Sequence, residues 1–176
     1  MDNTVILNLY RRPDYLEEQI AALRSQSVPP SEIWLWVNGH EDNQDLDLSE
    51  YDLDVVVKSD RNFKYHGRFA LGLLATTPFV SFFDDDTIPG KDWFKNCFDS
   101  YNKQRGIYGG AGVILLSPLY HEHQRVGWPS NNEEITRVDL VGHAWFMNRG
   151  DLRNMWIEPP WLENGEDIQL AYQARS

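Results

Sequence analysis

The sequence contains very little cysteine: Cys97 is the only one among 176 residues, which excludes an internal disulfide. A single thiol fits a reducing compartment. No apolar run approaches the roughly 20 residues that a membrane-spanning helix needs. The N-terminal segment MDNTVILNLYRR starts acidic and lacks a cleavable hydrophobic region, so we predict no secretory signal. These absences predict a soluble, cytoplasmic protein without a membrane span.

Positive charge is also scarce, with 16 lysines and arginines against 27 acidic residues and a net charge of -11. Such a field repels phosphate backbones, so we expect no nucleic-acid partner. An anionic substrate would need either a local basic cluster or a bound cation. The remaining composition, 41% hydrophobic and 13% aromatic, is typical of a globular protein.

Several common motifs are missing as well. The chain has no glycine-rich phosphate loop and no nucleophile elbow that would support Ser/His/Asp chemistry. It also has no internal repeat, linker or low-complexity block, so we predict one domain over residues 1–176.

Short apolar runs alternate with helical patterns in the first half of the chain. The runs predict strands at residues 4–7, 33–37, 55–57 and 79–83. Two helices are predicted between them, with apolar residues at Leu16, Ile20 and Leu23 and at Phe69, Leu73 and Leu74. This alternation predicts a Rossmann-like α/β fold, with a mostly parallel central sheet flanked by helices. Ligands of such sheets lie at the carboxyl ends of the strands.

The second half is less regular. We predict a helix through Phe94, Cys97, Phe98 and Tyr101, a strand at 108–116, a surface loop at 121–134, and short strands at 138–141 and 144–147. A last helix should begin near Gly165 or Glu166 and turn Ile168, Ala171 and Tyr172 inward. We expect the domain to divide near residue 86 into two halves, residues 1–86 and residues 87–176.

The acidic triplet Asp84-Asp85-Asp86 follows the fourth predicted strand and is the strongest chemical signal. Alternate side chains of an extended backbone face the same way, so Asp84 and Asp86 are expected to converge while Asp85 points elsewhere. Mg²⁺ or Mn²⁺ suits such a carboxylate pair, together with substrate phosphates. The alternative is a solvated turn in which Asp86 caps the next element.

Three other groups could contribute to a site. Either Glu166 or Asp167 could take a proton from an acceptor hydroxyl. The alternative is that these acids only stabilise the helix N-terminus through the helix dipole. A basic cluster could face a diphosphate, or form a cationic rim: Arg61, Lys64, His66 and Arg68. Four tryptophans could stack on a sugar or simply pack: Trp128, Trp145, Trp156 and Trp161.

Four segments, in chain order, resemble family 2 glycosyltransferases with a GT-A fold. They are TVILNLYRRPDYLEEQIAALRSQSVP, IWLWVNG, RNFKYHGRFALGLLATTPFVSFFDDDTIP and WLENGEDIQLAYQAR. They resemble the first strand with its nucleotide-binding turn, the second strand, the Asp-x-Asp segment and the segment bearing the catalytic base. The family usually has Asp in place of Asn38. Only nine residues follow Asp167, so the resemblance implies a minimal enzyme or one completed by another chain.

The resemblance implies an inverting transfer from a nucleoside-diphosphate sugar, such as UDP-glucose, to an acceptor hydroxyl, with Mn²⁺ or Mg²⁺ as cofactor. It implies that residues 1–86 form the nucleotide-binding half and residues 87–176 the acceptor and catalytic half. It assigns the base and ribose pocket to Tyr10, Arg12 and Asn38, donor contacts to Arg68, Asp84 and Asp85, and the metal to Asp86 with Asp84. It assigns the base to Asp167 with Glu166 beside it, and the sugar and acceptor pocket to Gly142, His143 and Trp145.

Two other functions remain open at this point. A nucleotidyltransferase can share a similar sheet and a carboxylate-held metal, but it normally has a glycine-rich, basic loop where this chain has LNLYRRPDY. A non-catalytic module that binds a sugar nucleotide or a glycan fits the short C-terminus.

Overall fold

A computed structural model describes residues 2–43, 45–130, 132–161 and 163–175. Within them, seven strands form one sheet: β1 (Asn3–Leu9), β2 (Glu32–Val37), β3 (Val55–Lys58), β4 (Phe79–Phe83), β5 (Tyr108–Leu115), β6 (His123–Gly127) and β7 (Leu140–Asn148). The α-helices are α1 (Leu16–Arg24), α2 (His66–Gly72), α3 (Trp93–Lys103) and α4 (Glu166–Gln173). Short 3-10 helices cover Pro13–Tyr15, Glu41–Asn43 and Arg149–Trp156. No helix in this described part is long and apolar enough to cross a bilayer.

The strand order is β3-β2-β1-β4-β7-β5-β6. The first four strands in this order are parallel, as the alternation of strands and helices predicts. Each of the last three strands pairs antiparallel with its neighbour, so the second half of the sheet is antiparallel and the whole sheet is mixed. The predicted α/β fold is confirmed. Because β1, β2 and β4 are parallel, the residues that follow them meet at one edge of the sheet.

Alternation along the central strands sends apolar side chains to both faces of the sheet. On one face Val5 and Leu7 of β1 pack with residues of α1 and α3. On the other face Ile6 packs with residues of α2, the 3-10 helix Arg149–Trp156 and α4. Both faces of the sheet are therefore covered by apolar packing. Polar residues that could bind a ligand are left to the strand ends.

Three local predictions are wrong. The predicted surface loop at 121–134 contains β6, an edge strand that pairs only with β5 and therefore needs no apolar run. The two short strands predicted at 138–141 and 144–147 are one strand, β7. Helix α2 stops at Gly72, which leaves Leu73 and Leu74 beyond its end.

The predicted inward face of α4 is also wrong. The helix begins at Glu166 as expected, but Ile168 and Tyr172 are 44% and 68% exposed. The buried residues are Glu166, Leu170 and Gln173. In the first turn of the helix, Glu166 faces the buried Arg68 rather than an apolar core. This ion pair determines which side of the helix faces the protein interior.

Candidate active site

The acidic triplet forms a tight turn directly after β4. The Thr87 N–H donates to the Asp84 carbonyl oxygen (3.1 Å), which closes a four-residue turn. The alternation of the strand ends at Phe83, so Asp84 and Asp86 do not converge as predicted. Asp85 and Asp86 occupy the centre of the turn and face a shared partner, whereas Asp84 points to a different one.

The shared partner of Asp85 and Asp86 is Arg12, from the loop after β1. Arg12 Nη1 donates to the Asp86 carboxylate and lies 3.4 Å from Asp85 Oδ1. The Tyr10 backbone N–H donates to Asp85 Oδ2 (3.2 Å). Burial raises the pKa of the Asp85 carboxyl, and the Arg12 charge opposes that rise. Two carboxylates therefore converge on one cationic nitrogen at the edge of the sheet.

Gln19 of α1 holds this turn in place through hydrogen bonds. The sequence did not predict Gln19 as a site residue. Its side-chain amide donates to the carbonyl oxygens of Asp84 (2.7 Å) and Thr87 (3.0 Å). Gln19 is buried, although the neighbouring inward positions of the helix, Leu16 and Ile20, are apolar. A polar residue on the apolar face of a helix was the available signal.

Asp84 belongs to a buried network around Arg68. Arg68 Nη1 donates to Asp84 Oδ1, and Nη2 lies 3.6 Å from Glu166 Oε1. The guanidinium lies over the rings of Phe69 (5.2 Å) and Trp145 (4.8 Å). Arg68 is only 1% exposed, so the expectation that it touches donor phosphates is wrong. Its charge compensates acidic side chains inside the protein instead.

The basic cluster predicted around Arg68 does not form one surface. His66 is buried like Arg68, and burial lowers the pKa of its imidazole. Arg61 is exposed and lies 5.6 Å from the Phe63 ring, and Lys64 Nζ is 3.9 Å from Glu163 Oε2. Only Arg61 and Lys64 of this group are therefore accessible to a ligand.

Asp167 and Glu166, adjacent at the start of α4, lie in different surroundings. Asp167 lines an open groove of about 1890 Å³ that Asp86 and His143 also line. Glu166 is 7% exposed and faces Arg68. Burial raises the pKa of the Asp167 carboxyl and raises that of Glu166 to about 7. Of the two acids, Asp167 is the one that can meet a ligand in the groove.

Asn38 does not line a ligand pocket as expected, because its side chain is buried and fully hydrogen-bonded. Its amide donates to Asn62 Oδ1 (2.8 Å) and the Lys64 carbonyl oxygen (3.0 Å), and its Oδ1 accepts from the Phe63 N–H (2.9 Å). Asn62 in turn donates to the Tyr10 hydroxyl (3.1 Å). Asn38 thus positions the loop that holds Tyr10 in place.

The predicted sugar and acceptor residues divide between the surface and the core. His143 lies beside the acidic turn, with Nδ1 3.6 Å from Asp84 Oδ2, and its carbonyl oxygen accepts from the Asp84 N–H (2.9 Å). Gly142 faces open space. Trp145 is 2% exposed and packs on Arg68, so its role in contacting a sugar is not supported.

Backbone strain concentrates at the same edge of the sheet. Within the described residues, three non-glycine residues have positive φ angles: Arg11 (69°), Lys64 (53°) and His143 (63°). Such angles are uncommon for residues with a side chain and cost of order 1 kcal/mol each. All three residues flank the acidic turn or the Asn38 loop, which is the pattern expected of a functional site.

Comparison with known families gives a match over most of the chain. The family model described as glycosyl transferase family 2 matches residues 4–155. No curated protein sequence matches the chain significantly.

Solved structures show the same fold at low sequence identity. The crystal structure of S. aureus TarS aligns over 99% of this chain and 33% of its own, with a TM-score of 0.68 and 19% identity. Residues 1–349 of TarS in complex with UDP align over 99% and 55%, with a TM-score of 0.66 and 17% identity. The complex with UDP-GlcNAc aligns over 99% and 53%, with a TM-score of 0.61 and 16% identity. The chain thus has the GT-A fold and spans about a third to about half of those proteins.

Proposed function

Because this chain belongs to glycosyl transferase family 2, we propose that it transfers a sugar from a nucleoside-diphosphate donor to an acceptor hydroxyl, with inversion. The main supporting observation is a groove that Asp86, at the carboxyl edge of the parallel strands, and Asp167 both line. In this groove a ligand could reach both Asp86, a carboxylate that could bind a cation, and Asp167, a carboxylate that could accept a proton. The structural likeness to TarS, which was crystallised with UDP and UDP-GlcNAc, supports a UDP-sugar as the donor.

Mn²⁺ or Mg²⁺ fits the acidic turn. Within the described ranges, no three His, Cys, Asp or Glu side chains gather to form a metal site. Asp85 and Asp86, however, already converge on one cationic nitrogen of Arg12, and the side chains of Arg12 and Asp86 are about half exposed. These hard cations need only one or two protein carboxylates when phosphates and water complete the shell. We assign the cation to Asp86, assisted by Asp85 rather than Asp84.

A bound divalent cation supplies the positive charge that a leaving diphosphate needs in this acidic protein. Asp84 would act less directly, because Arg68 binds one of its carboxylate oxygens and His143 Nδ1 lies 3.6 Å from the other. Tyr10 and Arg12, on the opposite side of the turn, would face the nucleotide. Arg12 would exchange its carboxylate partners for the diphosphate once the cation is present.

Asp167 is the proposed base. Its carboxylate would accept the proton of the acceptor hydroxyl as that oxygen bonds to the anomeric carbon and the bond to the diphosphate breaks. The raised pKa of Asp167 improves its capacity as a base. A single displacement with one base and no enzyme nucleophile inverts the anomeric configuration.

The test is incubation of the protein with a panel of nucleotide sugars and Mn²⁺, followed by chromatography of the products. We expect free nucleoside diphosphate, with UDP-sugars as the best substrates, and loss of product with excess EDTA or in Asp86→Ala. In a parallel incubation with added pyrophosphate, formation of a nucleoside triphosphate and a sugar 1-phosphate from the nucleotide sugar would instead identify a nucleotidyltransferase. Binding of UDP without turnover of any donor would identify a non-catalytic module. Equal UDP binding by calorimetry in EDTA and in Asp86→Ala would contradict the metal assignment.

A further inference from the structure

Trp128 is a large aromatic residue that stays exposed inside the groove. It follows β6 directly, and its backbone N–H donates to the Gly110 carbonyl oxygen of β5 (3.0 Å). The backbone is therefore anchored to the sheet, yet the side chain is 59% exposed. An indole held by a rigid strand and left open to solvent is a poor contribution to the core and a suitable surface for a ligand.

Trp128 also lies next to the proposed reaction centre. Its ring centroid is 5.3 Å from that of His143, with the two planes tilted by 56°. His143 in turn lies 3.6 Å from Asp84. His143 therefore separates Trp128 from the acidic turn, and Tyr10 and Arg12 approach that turn through Asp85 and Asp86. A donor held by the turn would leave the Trp128 side of the groove free for the acceptor.

The rest of this wall is mixed, with apolar side chains such as Ile135 and Val138 beside polar ones. The lining beyond Trp128 includes Asn132, Glu133, Glu134 and Arg137, which are amide, carboxylate and guanidinium groups. The groove, at about 1890 Å³, is also larger than the roughly 300–1,000 Å³ typical of a pocket for one small molecule. A long, open groove with one exposed indole and many polar groups suits a chain of polar rings with apolar faces.

We propose that Trp128 is the platform on which a pyranose ring of the acceptor stacks, so that the acceptor is itself a glycan. A pyranose presents axial C–H bonds on one face, which pack against the electron-rich face of the indole, while its hydroxyls reach polar side chains at the rim. This proposal rests on the proposed glycosyltransferase function and specifies its acceptor. It makes Trp128 a binding residue for the acceptor and assigns it no part in donor binding.

The test measures glycan binding in the presence of UDP and Mn²⁺, without turnover. Cellopentaose, chitopentaose and methyl β-D-glucopyranoside are the pyranose probes, and ribitol is the open-chain polyol control. Binding is measured by saturation-transfer-difference NMR and by titration. The variants are Trp128→Ala, Trp128→Phe and Trp161→Ala, since Trp161 is 74% exposed and is not part of the groove lining.

We expect at least one pyranose probe to bind the wild type, with an affinity about tenfold or more lower in Trp128→Ala. Trp128→Phe and Trp161→Ala should stay within about threefold of the wild type, because the first keeps an aromatic face and the second lies elsewhere. UDP affinity should be the same in all four proteins. Circular dichroism establishes that each variant is folded.

Four outcomes would overturn the proposal: no pyranose probe binds, Trp128→Ala binds as well as the wild type, ribitol shows the same dependence on Trp128, or Trp128→Ala loses UDP affinity. The last would place the indole on the donor side. Because this assay needs no catalysis, failure of donor cleavage would defeat the proposed function and still leave glycan binding measurable.

Discussion

Two adjacent carboxylates at the start of α4 lie in different surroundings, and we assign them different roles. Asp167 lines the groove, whereas Glu166 faces the buried Arg68. We therefore expect Asp167→Asn to lower kcat at least about 100-fold, the usual loss when a general base is removed, while metal-dependent UDP affinity is retained. Glu166→Gln should lose less activity, because it keeps the shape of the side chain and touches no substrate.

Steady-state kinetics of donor cleavage and calorimetric UDP titration of both variants check this assignment. Glu166→Gln serves as the matched control, since both substitutions replace a carboxylate by an amide on the same helical turn. If Glu166→Gln is inactive and Asp167→Asn turns over normally, the two roles are reversed.

The raised pKa of Glu166 predicts that the stability of the protein depends on pH. Burial raises the pKa of its carboxyl from 4.5 to about 7. The folded protein therefore holds this proton more tightly than the unfolded chain, and the stability present below pH 4.5 is lost as the pH rises through about 7. Glu166→Gln removes this titration, so its stability relative to the wild type should improve by about 3 kcal/mol between pH 4.5 and pH 8.

Urea unfolding of the wild type and Glu166→Gln at those two pH values measures the difference. Glu163→Gln is the matched control, because Glu163 is exposed and should show little change. A stability difference between Glu166→Gln and the wild type that does not vary with pH would show that folding leaves the pKa of Glu166 unshifted.

At the scale of elements, the loop between β3 and α2 depends on Asn38. Its amide makes two donated hydrogen bonds, to Asn62 and Lys64. Asn38→Asp would leave a buried carboxylate facing those two oxygens, so we expect a loss of about 3 kcal/mol in unfolding free energy. The loop around Asn38 is thus built for an amide.

Chemical denaturation of Asn38→Asp checks this expectation, with Asn62→Asp as the control. Asn62 keeps its acceptor oxygen in that variant and loses one donated bond to the Tyr10 hydroxyl, at an exposed position. The control should therefore lose less than about 1 kcal/mol. Equal losses in the two variants would contradict the role given to Asn38.

The same scale explains which elements could be predicted from sequence. Strands β1, β2 and β4 are buried on both faces, so their apolar runs identify them directly. Strand β6 is an edge strand with polar residues, and pairing with β5 defines it rather than composition. Hydrophobic periodicity therefore identifies only those elements that bury apolar side chains.

The site was harder to predict for the same reason. The structure places the acidic triplet directly after β4 and begins α4 at Glu166, as the sequence predicts. Their orientations depended on two features with weak sequence signals. One is the turn at Asp84–Thr87, which ends the strand alternation, and the other is the burial of Arg68, which draws Glu166 inward.

At the scale of the whole molecule, the net charge of -11 makes donor binding the central physical problem. The buried Arg68 serves Asp84 and Glu166, and Arg12 is the cation already at the acidic turn. A donor diphosphate would therefore depend on an added divalent cation. The groove beside the turn places Asp167 and Trp128 where an acceptor could approach.

The most direct measurement is proton NMR of an α-linked UDP-sugar incubated with the protein and Mn²⁺, with water or an added glycan as acceptor. The anomeric signals distinguish the first sugar product before mutarotation. We predict that the donor signal decays while free UDP and a β-anomeric product form together, and that Asp86→Ala and Asp167→Asn leave the donor largely intact. An α-anomeric first product, or a donor that persists with the wild type across the panel, would contradict this function.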